Sequence, residues 1–162
     1  MLQLFLVLHV LGAIFVFGPT VAFTFLASEV RRMPQSGHFA AVVGDAIERK
    51  VVLPGAVVQG ITGVGLILLA GFDLTQPSSR WLISALVLYA IAIVFAFAVQ
   101  APNAAKMVEL TKTPPPAPEP GAAPAGPPPE IVAMGKRLAR GGMFLTVMIV
   151  LIVTLMVLKP AL

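Results

Sequence analysis

The 162-residue sequence contains no cysteine. That excludes disulfides, thiolate metal sites, iron–sulfur clusters and thiol nucleophiles. Charge is also scarce. Asp, Glu, Lys and Arg together make up 11% of the chain, where a soluble domain carries about 25%. Hydrophobic residues make up 58%, against the about 45–50% of a soluble domain. A water-soluble fold of this size has too few polar side chains to cover that much apolar surface. The composition argues against a soluble enzyme, a free nucleic-acid binder and a disordered chain. It argues for an integral membrane protein whose main partner is the lipid bilayer. The net charge of +4 therefore calls for an explanation other than nucleic acid.

The chain reads as one domain, 1–162, with four apolar runs at about 2–26, 51–71, 81–101 and 142–158, none containing Asp or Glu. Each is near the ~20 residues that cross ~30 Å of hydrocarbon. Each is expected to be a helix, because a backbone in lipid must satisfy its own hydrogen bonds. A barrel would need alternating ~10-residue segments, and the sequence has none. The first run lacks a basic leading region, and its apolar stretch is roughly twice the 7–15 residues of a signal peptide. It is read as a retained span.

The basic residues explain the net charge and give an orientation. The first loop carries Arg31, Arg32, Arg49 and Lys50, and the third carries Lys106, Lys112, Lys136, Arg137 and Arg140. Only Arg80 and Lys159 lie on the other side, so nine of the 11 basic residues share one face of the membrane. Cytoplasmic loops collect Lys and Arg. Loops one and three are therefore expected in the cytoplasm, with both termini outside the inner (plasma) membrane.

The loops add two expectations. Over residues 36–50, Phe39, Val42, Val43, Ala46 and Ile47 recur at helical spacing, with Asp45 and Arg49 an i,i+4 pair on the other side. This predicts a short amphipathic helix on the cytoplasmic face, running into the second span. Residues 113–129 hold nine of the 15 prolines. Proline lacks the backbone donor and fixes φ, so this stretch is expected to be an extended cytoplasmic tether between spans three and four. Pro115 and Pro118 form a minimal P-x-x-P. Residues 103–112 are expected to prolong the third helix. The fold class is all-α, a four-transmembrane-helix bundle.

Polar chemistry inside the spans is sparse. His9 is the only ionisable side chain well inside one, about 10 Å along the helix from its outer end. An ionisable group at such depth points to a functional site, and neutral imidazole is the commonest metal ligand. The competing reading is a His that only bonds across the bundle. Gln59 and Thr62 on the second span and Tyr89 on the third supply further polar groups. Counted from the outer surface, His9, Thr62 and Tyr89 share one depth and Gln59 lies slightly deeper. They predict one polar layer, with small residues allowing close helix approach. Gly18-Pro19 is expected to kink the first helix, and Pro54-Gly55 to open the second span.

The stretch LHVLGAIFVFGPT resembles the opening helix of a group of bacterial membrane proteins. The group includes the copper-resistance protein D-like domain, the four-helix membrane protoporphyrinogen oxidase and several uncharacterised families. Gln59-Gly60-Ile61-Thr62-Gly63 resembles the group's TG signature, and the chain looks most like one of its uncharacterised members. The oxidase resemblance implies that His9 ligates haem with a basic partner on the third helix. The third span has no Lys or His to match that partner. The copper-resistance resemblance implies outer-side Met and His ligands, of which Met156 alone lies near the outer end of the fourth span.

Three functions follow. The first is a tetrapyrrole or metal-binding membrane protein, with His9 as the metal ligand of a haem b or similar group. Met156, Tyr89 or water would stand opposite, with Gln59 and Thr62 in the same layer. Haem iron accepts such ligands. The second is a non-catalytic structural or assembly subunit of a membrane complex, or a homo-oligomer. The third, ranked lowest, is a small-solute transporter in which spans one–two and three–four form a parallel repeat. Nothing in the sequence makes a catalytic set, because His9 has no nucleophile or acid partner.

Overall fold

The computed structural model describes residues 1–113 and 126–160. Most of the proline-rich stretch, 114–125, thus lies outside the described residues. Four long helices account for the four apolar runs. The first is α1, Leu2–Arg32. The second joins α2, Gly37–Ile47, to α3, Leu53–Ala70, through a π turn at Glu48–Val52. The third joins α4, Arg80–Phe95, to α5, Ala101–Thr111, through a π turn at Ala96–Gln100. The fourth is α6, Pro129–Leu158. No strand occurs among the described residues.

The composite helices span residues 37–70 and, with the short 3-10 turn at Pro77–Ser79, 77–111, which is 34 and 35 residues, about 50 Å at 1.5 Å per residue. The hydrocarbon core is ~30 Å thick. The ends carrying α2 and α5 therefore project beyond the spans at 51–71 and 81–101, on the side where the basic residues gather. There α2 packs on α5, and His38 Nδ1 lies within hydrogen-bond distance of Thr111 Oγ1, at 3.1 Å.

Residues 37–47 form a helix, α2, that runs into the second span without a break. Its apolar positions are unevenly covered. Phe39 is 71% and Val42 41% exposed, whereas Ala40 is buried. α2 packs on both α5 and α1, partners that spacing alone could not reveal. Pro129 does not belong to a tether but is the first residue of α6. A helix start needs no donor there, so proline fits.

Each π turn has a local cause. Val52 is followed at the second position by Pro54, and Gln100 by Pro102. Inside a helix, proline gives no N–H and its ring crowds the carbonyl four residues back. A wider turn relieves that crowding. Its closing bonds run five residues, Leu53 N–H to Glu48 O and Ala101 N–H to Ala96 O. Pro54 stands in the first turn of α3, as its sequence context suggested, and that turn lies inside a continuous helical run of 34 residues. The turns fall in the second and third long helices. Pro19 lies inside α1, which continues to Arg32.

The helices form a ring. α3 packs on α1, α1 on α6, and α6 on α4, while the backbones of α3 and α4 stay apart. The largest buried cluster joins Leu53, Ala96, Ala101 and Leu145, flanked by Phe95 and Phe144. At the end opposite the basic one, Gly71 closes α3 with φ +66, a left-handed conformation that favours glycine. Phe72 N–H then reaches back to Ile67 O at 3.1 Å. In the following loop Asp73 accepts from Thr75 and Gln76, and these bonds hold its carboxyl below the usual range. Trp81 is buried with Phe72 edge-on at 6.0 Å. Lys159 Nζ stands 5.7 Å from the centre of its ring, the aromatic and basic pairing common at a membrane interface.

Candidate functional site

α1 and α3 run antiparallel at close range because glycines on each receive side chains from the other. Phe5 fills the space at Gly65, and Val16 lies 2.9 Å from where a Cβ on Gly55 would sit. Between them is the polar cluster. His9 Nδ1 lies 3.0 Å from Thr62 Oγ1, and His9 Nε2 lies 3.1 Å from Gln59 Nε2.

The protons can be placed from the acceptors. The Thr62 hydroxyl donates to Val58 O at 2.9 Å, with Gln59 O at 3.1 Å. Its one proton is thus engaged, so the imidazole must donate to it through Nδ1–H. Nε2 then carries the lone pair and accepts from the Gln59 amide. With the protons so placed, both ring nitrogens have partners. Thr62 is buried. Gln59 Oε1 is buried with no hydrogen-bond partner and rests on Gly12, where a Cβ would come within 2.5 Å. Gly63 performs the same service for His9, whose Cε1 lies 3.1 Å from that glycine's virtual Cβ. A Cβ at 12 would displace the Gln59 amide, and one at 63 would press on the His9 ring.

The expected layer is thus only partly assembled. His9, Gln59 and Thr62 come together. Tyr89 does not join them: its hydroxyl donates to Ala56 O at 2.6 Å and lies against Gly60. It bridges α3 to α4 where their backbones diverge. Equal depth placed Tyr89 in the layer, but helix rotation turned it to another face of α3. Met156 lies near the end of α6, and none of the cluster's hydrogen bonds reaches it. Among the described residues no group of three or more His, Cys, Asp or Glu converges on a metal-sized site.

Two further buried polar groups escaped the sequence reading. Glu48 is buried with Oε1 unpaired. It stands just before the second span, and burial, with the nearby Asp45 charge second, pushes its carboxyl up to about 7. Arg49 is held by Asp45, at 2.9 and 3.1 Å, rather than by Glu48. Gln100 donates to Leu138 O at 3.3 Å, while its Oε1 is unpaired and lies against Gly141. Each belongs to a π turn. The available signal was proline within a long helical run, at 54 and 102.

A family model described as "Predicted integral membrane protein (DUF2269)" matches residues 3–160. The chain belongs to this family. The match spans all four helices and both π turns of the DUF2269 fold described above. No curated protein and no solved structure matches the chain.

Proposed function

We propose that this DUF2269 protein is a non-catalytic, four-pass subunit of a bacterial inner membrane, in which His9 is a structural clamp between α1 and α3. The observation that carries the reading is that both imidazole nitrogens already have partners, Thr62 and Gln59. Glycines 12, 60 and 63 are each filled by a neighbouring side chain rather than left as a flat recess. A bundle of this kind supplies surface and position to a membrane complex, not chemistry. Pull-down of the full chain from native membranes is expected to recover a stoichiometric partner. Recovery of this chain alone would defeat the reading.

Its placement rests on charge. The basic residues of α2, α5 and the start of α6 gather at one end, which the positive-inside rule puts in the cytoplasm. Because the chain has no cysteine, single-cysteine labelling has no background. In intact cells, Ser78→Cys is expected to react with an impermeant maleimide and Thr113→Cys is not. The reverse pattern would invert the topology.

A second reading, ligation of a metal or haem iron, is favoured by the tautomer. Thr62 takes Nδ1–H and leaves the lone pair on Nε2, and a hydrogen bond on one ring nitrogen is what orients a ligating imidazole at the other. The Gln59 amide would have to leave Nε2 first. The relation to the copper-resistance and oxidase proteins rests on the 8–20 and 59–63 stretches alone. An absorption spectrum and metal analysis of purified protein decide between the readings. The clamp predicts no Soret band after haem supplementation, in the wild type or in Gln59→Ala. A band that strengthens in Gln59→Ala and vanishes in His9→Ala would establish the ligand role.

A further inference from the structure

We propose that the groove between α4–α5 and α6 binds one anionic phospholipid, its phosphate on Arg137, Arg140 and Asn103 and an acyl chain along α4. The groove is shallow and open on its outer side, has a volume of about 570 Å³ and is lined by Phe95, Val99, Asn103, Arg137, Arg140, Gly141 and Phe144. Its two walls follow from helical spacing. On α6, residues 137, 140, 141 and 144 share one face; on α4–α5, residues 95, 99 and 103 share another.

The polar and apolar ends are ordered as a lipid is. Asn103 lies just past the third span, and Arg137 and Arg140 lie just before the fourth, so the donors stand at headgroup level. Phe95, Val99 and Phe144 lie toward the hydrocarbon, with the Phe95 and Phe144 rings 4.7 Å apart. A second groove, about 500 Å³, continues from the shared Phe95 and Val99 along Ala98, Val94, Ile91 and Ala90. It is apolar throughout and fits a chain, not a headgroup.

Charge complementarity selects the headgroup. Neither arginine makes a salt bridge or a hydrogen bond to any described residue, whereas Arg32, Arg49 and Lys112 are paired with Glu29, Asp45 and Glu109. Guanidinium groups match phosphate oxygens in bidentate geometry. Basic pockets between membrane helices on the cytoplasmic side are suited to anionic headgroups. The acid at the start of α6, Glu130, lies about two turns from Arg137 along the helix, so the groove presents net positive charge. The proposal does not depend on the role of His9.

The test uses the full chain in mild detergent, read by thermal melting and by native mass spectrometry. Phosphatidylglycerol is expected to raise the melting temperature and remain as one bound lipid. Phosphatidylcholine with the same chains, and inorganic phosphate, are expected to do neither. Arg137→Gln/Arg140→Gln is expected to weaken lipid retention about tenfold or more, while Lys136→Gln, which removes an adjacent charge outside the groove, retains it. Val99→Trp, which fills the apolar half and keeps both arginines, is expected to lose the bound lipid as well. Equal protection by phosphatidylcholine would overturn the proposal. So would a shift produced by phosphate alone, an equal loss in Lys136→Gln, or full retention in either groove variant.

Discussion

Raising the pH from about 4.5 to about 7 is expected to destabilise the protein through Glu48. The carboxyl is buried beside the first π turn, with one oxygen unpaired. Burial disfavours its charged form, and Asp45 adds a like charge. The fold therefore holds a proton up to about pH 7 that the unfolded chain releases near 4.5. Within that window the native state binds more protons than the unfolded state, so stability falls as pH rises. The contribution is fully present below the unfolded value and gone above the folded one. At 1.36 kcal/mol per unit the gap amounts to about 3 kcal/mol. The informative quantity is the difference between the wild type and a variant that cannot titrate at this position. Glu48→Gln keeps the size and removes the titration. Its melting temperature is expected to vary much less with pH than the wild type's, with the curves converging at low pH. Parallel curves across the window would show that Glu48 does not carry the effect.

His9→Ala is expected to destabilise the bundle by about 2–4 kcal/mol in a detergent melt, for two reasons that add. The truncation opens a cavity between α1 and α3. It also leaves the Gln59 amide without its acceptor in a region that water does not reach, a penalty of about 1–3 kcal/mol. The net worth of the His9–Gln59 bond is a smaller quantity. Hydrogen bonds between membrane helices average ~0.6 kcal/mol in double-mutant cycles, because each partner finds substitutes when alone. The cycle of His9→Ala with Gln59→Leu is therefore expected to give a coupling of about 0.5–1.5 kcal/mol, well below the cost of either single change. A melt of His9→Ala within about 0.5 kcal/mol of wild type, the size of an ordinary surface substitution, would mean that the imidazole does not hold α1 to α3.

These two expectations stand on unequal footing in the sequence. His9 was visible as the one ionisable side chain inside an apolar run, and Gln59 and Thr62 stood out on the second span. Glu48 was not visible. A carboxylate one residue before Arg49-Lys50 looks like a solvated headgroup-level acid, and only the packing of the first π turn against α1 takes it out of water. Tyr89 misled in the opposite way. Depth along a helix can be counted from sequence, but rotation about its axis relative to three neighbours cannot.

What the sequence determined by itself is an all-helical chain with four helices long and apolar enough to cross a membrane, and the gathering of its basic residues in the first and third loops. Each of these is a one-dimensional property: apolar length against bilayer thickness, and charge against position. The tertiary structure alone decided which helix meets which. Glycine at 12, 55, 63 and 65 lets α1 and α3 close on each other, so that Gln59 and Thr62 take both nitrogens of one ring. It also decided that Pro54 and Pro102 follow π turns within continuous helical runs, and that two arginines of α6 border a groove running down α4. Each of these depends on contacts between residues distant in the chain, and such contacts leave no periodic trace within any one segment.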